Sequence, residues 1–127
     1  MNLIYPAVFH HTEGEGYWVN FPDFAGGTEG KTLEEAVRMA EECLAELAAV
    51  YIEDEIQLPD PTDIRTIKLE SEGFSTLIHF DPSPYVRKGK TIRKNVTVPE
   101  WLAKRAEKAQ INFSETLTEA LMEKIQF

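Results

Sequence analysis

The stretch "RKNVTVP", from Arg93 to Pro99, carries residue types suited to reading a nucleic acid. Alternation along a strand puts Val96 and Val98 on one face and Arg93, Asn95 and Thr97 on the other. The second face matches base edges in a major groove: Arg to guanine, Asn to adenine, Thr to the thymine methyl or a hydroxyl partner. A two-stranded ribbon fits that groove. Lys90 precedes the stretch and Lys94 lies within it; both suit backbone phosphates, although Lys94 falls on the face of Val96 and must reach out from the ribbon's end. Ser114 is placed to cap a later helix, whose free N–H groups and positive dipole end suit another phosphate. The bland alternative is a solvated edge whose basic residues block aggregation.

Other reactive residue types do not assemble into a site. Metal-dependent cleavage needs carboxylates converging on one point. Here Glu13 and Glu15 share a turn, Asp23 ends a strand, and most other acids line a helix's solvent face. His10 and His11 resemble a metal pair, but neighbours on a strand point to opposite faces. His79 stands alone on its strand, and Cys43 lies on an apolar helix face, where it behaves as a small hydrophobe. The glycines of "GEG" and "GG" lack the strand-to-helix context of a phosphate loop. No catalytic, metal-binding or cofactor-binding residues are expected, and no cofactor. Trp18 alternates away from Tyr17 and Phe21, which leaves it either core or an exposed anchor for a partner.

The elements that must hold these residues can be read from periodicity. "LIYPAVFHH" and "YWVNF" read as two strands around the "TEGEG" turn, with Pro6 implying an edge or a bulge. "PDFAGG" reads as a local turn in which Asp23 bonds nearby backbone, with a brief third strand near Gly27 to Glu29. Thr32 and Glu35 have capping-box spacing and open a helix over about 32–53. Its apolar face runs through Leu33, Ala36, Val37, Ala40, Cys43, Leu44, Leu47, Ala48 and Tyr51. "IRTIKLE" and "FSTLIHF" read as two further strands joined by "SEG". "DPSPYVRKGK" reads as a linker, which places domains at 1–82 and 91–127 with 83–90 between them. In the tail, Pro99 suits the first turn of a helix "EWLAKRAEKA". Leu117, Ala120, Leu121 and Ile125 form the apolar stripe of a second helix. A strand and two helices in about 40 residues rarely fold alone, and this strand has no local partner. Two copies pairing strand to strand remove both deficits, so an obligate homodimer is expected.

The 127-residue chain has a net charge of −9, but the charge is divided. Residues 1–86 hold 4 Lys and Arg against 17 Asp and Glu, a balance of −13, whereas residues 87–127 hold 9 against 5. The body suits a basic partner and the tail an anionic polymer. One cysteine excludes an internal disulfide. No signal-like start and no apolar run near the roughly 18 residues of a membrane span is visible, so a cytoplasmic protein without a membrane partner is expected.

Arg93 to Ile125, with "RKNVTVP" and "NFSETLTEAL", resembles a ribbon–helix–helix DNA-binding domain. Residues 5–44, with "YWVNFPDFAGGTEGKTLEEA", are similar to HicB antitoxins of HicA–HicB toxin–antitoxin systems. The loop reads "AGGTEG" where that pattern often carries a cysteine. The resemblance implies an α+β fold: a partial RNase H-like antiparallel sheet with one long helix, then a ribbon–helix–helix that forms an intertwined dimer. It implies an antitoxin that neutralises a HicA-type mRNA-cleaving toxin and represses its own operon by binding double-stranded operator DNA. Whether dimers pair into tetramers through the body stays open. The alternative reading is a stand-alone ribbon–helix–helix regulator with a ligand-sensing N-terminal domain.

Overall fold

The computed structural model describes residues 1–86, 91–125 and 127. Two compact units emerge, a body within residues 2–86 and a tail within residues 91–125. The body is α+β: strands β1 (Leu3–Thr12), β2 (Gly16–Phe21) and β3 (Phe24–Gly30), helix α1 (Leu33–Glu53), then strand β4 (Gly73–Phe80). The strands form one sheet in the order β3-β2-β1-β4, and each neighbouring pair is antiparallel.

The β1–β2 hairpin follows from its glycines. Gly14 and Gly16 both have φ +83, a backbone that side chains disfavour, and Glu15 N donates to Thr12 O at 2.9 Å. Pro6 does not mark an edge strand or a bulge, because β1 lies between β2 and β4. Pairing with β2 begins only at Val8, however, so Pro6 lies on a stretch with β4 as its single strand neighbour. A residue without an N–H is tolerated there.

α1 begins where expected, but its box closes differently. Thr32 Oγ1 accepts from Glu35 N at 3.1 Å, while the Glu35 carboxylate accepts from Lys31 N at 3.4 Å rather than from Thr32. The helix ends in a Schellman motif without glycine: Glu55 takes φ 55, and Ile56 N donates to Tyr51 O at 2.9 Å. Its fully buried side chains are small apart from Leu44: Ala36, Ala40, Ala45, Ala48 and Ala49. So slim a face lets the helix lie close to the sheet. Tyr5, Ala7, Phe9, Val19, Phe21, Phe24, Ile78 and Phe80 meet it there and form the core.

Two expectations fail in the segment that returns to β4. "IRTIKLE" is no strand: Ile64–Thr66 form a 3-10 turn and residues 67–70 have no ladder partner. The cause is local. The Asp63 carboxylate accepts from Arg65 N at 3.0 Å and from the Arg65 guanidinium at 2.7 Å, while Thr66 Oγ1 donates to Asp63 O at 2.7 Å. These bonds compete with a ladder, and those from Arg65 hold the Asp63 carboxyl below its ordinary range.

Asp23 likewise does not serve its own turn. Its carboxylate accepts from Thr62 N at 3.0 Å and from Thr62 Oγ1 at 2.6 Å, 39 residues along the chain. That clamp fastens the segment after α1 to the β2–β3 turn, beside the bond from Tyr5 Oη to Pro59 O. Asp23→Ala should therefore lower body stability by about 1–3 kcal/mol, because Thr62 N–H loses its acceptor in a half-buried place. Urea unfolding of Asp23→Ala against Thr62→Val checks this: Val keeps the backbone N–H bond and loses only that of the hydroxyl, so Thr62→Val should cost less.

Part of the expected linker packs on the body. Ser83–Tyr85 form a 3-10 turn, and Tyr85 rests against the core cluster. Arg87–Lys90, including the expected phosphate contact Lys90, lie outside the described residues.

Candidate nucleic-acid and partner interfaces

The tail presents its candidates openly. Arg93, Lys94, Asn95 and Thr97 are all exposed, and residues 91–99 pair with no described strand. Helix α2 (Glu100–Lys108) and helix α3 (Phe113–Lys124) follow, and neither buries a single residue. Val96 is 59% exposed and Leu121 52%, although the sequence pattern makes both core positions. Within one chain, the apolar face of the tail is uncovered.

Both helix starts differ from expectation. Pro99 is the N-cap of α2 and not part of its first turn; its extended ψ of 135 leads the chain in from the preceding segment. Asn112, and not Ser114, caps α3, with its side chain accepting from Glu115 N at 3.1 Å. Asn and Ser are about equally good caps, so residue type alone did not separate the two positions. Ser114 sits inside the first turn, where its carbonyl accepts from Thr118 Oγ1 at 2.8 Å. The N–H groups of Phe113 and Ser114 still precede the helical ladder, so the positive end remains beside Ser114. Between the helices Gln110 takes φ 57, and Ile111 N donates to Ala106 O at 3.0 Å, which closes α2 sharply. Trp101 is 63% exposed, with the Arg105 guanidinium 6.0 Å from its ring centroid.

The body presents acid and aromatic surface. Glu34, Glu41, Glu42 and Glu46 are exposed along α1, as its periodicity requires. Glu41, Glu42, His79, Asp81 and Tyr85 line an open cavity of about 340 Å³. Among the described residues, no three His, Cys, Asp or Glu side chains come together as a metal site. Cys43 is half-buried with Sγ 3.8 Å from Gly27 O, and burial followed by the Glu46 charge pushes its thiol up, away from the reactive thiolate.

The two histidines have partners that sequence reasoning missed. Register pairs His10 with Trp18 and His11 with Tyr17 across the hairpin. Both pairs are stacked, with centroids 3.9 Å and 4.5 Å apart. The signal was available: "HH" and "YW" sit symmetrically about the glycine turn, so closing the hairpin must bring them together. Trp18 is half exposed, on the sheet face that α1 does not cover.

A family model described as the HicB-like antitoxin of bacterial toxin–antitoxin systems matches residues 5–124. Antitoxin HicB 1 of Photorhabdus laumondii is 39% identical over 61 residues, 47% of this chain and 39% of that protein. The chain thus spans well under two thirds of the length of that curated relative. An antitoxin-containing structure titled as a toxin–antitoxin complex from Streptococcus pneumoniae superposes with TM-score 0.64 and 31% identity, covering 98% of this chain and 100% of that one. A chain of a HicA3–HicB3 toxin–antitoxin complex superposes with TM-score 0.51 and 30% identity over 63% of this chain and 100% of that one. With sheet, long helix and tail matched along nearly its whole length, the chain belongs to the HicB-like antitoxin family.

Proposed function

We propose that this protein binds and neutralises a HicA-type ribonuclease toxin through its acidic body, and represses its own operon through its tail. The observation that carries the reading is the family match over residues 5–124, which spans both units. The balance of −13 in residues 1–86 supports a cationic partner, because complementary charge speeds capture. Two of the solved neighbours are titled as toxin–antitoxin complexes. The body is taken as a partial RNase H-like domain, supported by three antiparallel strands followed by a long helix. The protein acts by binding and not as an enzyme.

DNA binding is assigned to residues 91–127 as a ribbon–helix–helix homodimer. The uncovered apolar face of the tail supports it: pairing two copies would complete a ribbon and bury Val96, Val98 and the apolar residues of α2 and α3. Arg93, Asn95 and Thr97 then face base edges, while Lys90, Lys94 and the α3 N-terminus near Ser114 meet phosphates. Arg93→Ala should weaken binding to the cognate operator by about 1–3 kcal/mol and relax specificity at one base position. Titration against operator and random DNA checks this; equal weakening on both would reduce Arg93 to a phosphate contact.

Co-expression with the adjacent gene, followed by pull-down, tests the toxin assignment. Recovery of a small basic protein whose expression alone arrests growth is the expected result. Absence of such a partner would leave a stand-alone DNA-binding regulator.

A further inference from the structure

We propose that the sheet face turned away from α1 carries a preformed seat for a cationic side chain of the protein partner, built from Trp18, His10 and Glu29. The inference rests on the antitoxin reading, since it names where on the body the basic partner inserts.

The seat follows from register. Tyr17, Val19 and Phe21 belong to the core side of β2, so Trp18 points to the opposite face. His10 of β1 and Glu29 of β3 are its direct cross-strand neighbours, which makes a single row of His10, Trp18 and Glu29 across three strands. Directly opposed side chains on one face lie about 5 Å apart at Cβ.

Each member of the row suits a positive charge that a partner would bring. The His10 ring lies 3.9 Å from the Trp18 ring at 13° and covers one indole face. His10 is held in turn by a 2.7 Å bond between Nε2 and Asn20 Oδ1, two residues along the same face of β2. Trp18 is therefore braced before any partner arrives, yet remains 50% exposed. Among the described residues its other ring face is stacked on no aromatic ring, and none accepts from its N–H. A flat aromatic face attracts a guanidinium or ammonium, and an adjacent carboxylate completes its hydrogen bonding. Glu29 is exposed in that position. Among the described residues, the cation–aromatic contact that exists is Arg105 on Trp101 in the tail, and no cation of the body lies over Trp18.

The occupant is a basic protein and not a second copy of this chain. Two bodies each at −13 repel when their faces meet. The same face also exposes Ile4 by 50% and Leu77 by 52%, apolar area that a protein partner can cover around a central anchor. Arg is the better fit of the two cations, because its planar head stacks on indole while its edge pairs with a carboxylate.

The test uses the full chain and, as probe, the small basic protein that co-expression with the adjacent gene is expected to yield. The chain has 2 tryptophans, so Trp101→Phe leaves Trp18 as the sole reporter on this side. Adding the probe should change Trp18 emission saturably. Trp18→Ala should weaken probe binding about 30-fold, as expected for loss of an interface anchor, and Glu29→Gln by about 5-fold. Circular dichroism and operator binding should stay unchanged; Glu29→Gln, at an exposed site, keeps the test valid if Trp18→Ala fails to fold. Wild-type affinity in both variants would overturn the seat while leaving the antitoxin reading intact. A change in oligomeric mass with unchanged probe affinity would give the face to a second copy and also overturn it. Failure of the wild type to bind the probe would sink the antitoxin reading itself, and the seat with it.

Discussion

Leu121→Asp is expected to yield a protein that no longer pairs, has lost most tail helix, and binds operator DNA too weakly to detect. Leu121 is 52% exposed in the single chain, and Leu102, Ile111, Phe113 and Leu117 are each between 38% and 46% exposed. Helices of 9 and 12 residues are below the length at which isolated helices hold in water. On the homodimer proposed above, pairing supplies the stability of the tail. Removing a buried Leu costs about 2–5 kcal/mol, and a symmetric dimer loses it twice. Asp adds the desolvation of a carboxylate without a partner. Light scattering and an operator gel shift read the result. A variant that stayed dimeric would show that some other surface holds the copies together. The body should be unaffected, so toxin binding by the same variant is expected to persist, which would separate the two proposed activities.

Gly30→Ala should have the largest effect on the body. A methyl built on Gly30 would lie 2.4 Å from Ala36 N and 2.7 Å from Ala36 Cα, both backbone atoms of the first turn of α1. Backbone cannot swing aside as a side-chain tip can, so the helix must lift from β3. The alanine-lined face of α1 would then separate from the sheet along the turn that Thr32 caps. Such overpacking costs about 3 kcal/mol, which for a unit of this size is a fall in Tm of about 12–24 °C. Gly14→Ala is the matched control. Its added methyl meets nothing within 4 Å, leaving only the strain of φ +83, so it should cost about 1–2 kcal/mol. Thermal unfolding of the two variants side by side decides the matter. Equal losses would mean that backbone conformation and not close approach fixes the residue at position 30.

How far each feature was legible depended on the distance over which its cause acts. The β1–β2 hairpin, α1 with its Thr32 cap, the turn before β4 in which Gly73 N donates to Glu70 O at 3.0 Å, and the divided charge all rest on residues within a few positions of one another. Periodicity and composition report such causes directly. Ser114 and Pro99 were misplaced by two positions and one, because Asn112 and Ser114 both suit the α3 cap and short-range pattern does not fix where the α2 boundary falls about Pro99.

By itself, then, the sequence determined the order and type of most elements, the opposed charges of body and tail, and which face of each element is apolar. Alternation misread "IRTIKLE", whose Asp63 bonds are local, whereas the tertiary structure alone decided what lay farther apart. It sent the Asp23 carboxylate to Thr62, 39 residues away, instead of to its own turn. It put His10 against Trp18 and left that ring half open. Each of these choices compares a local partner with a distant one. The distant partner enters the comparison only after the chain has closed on itself.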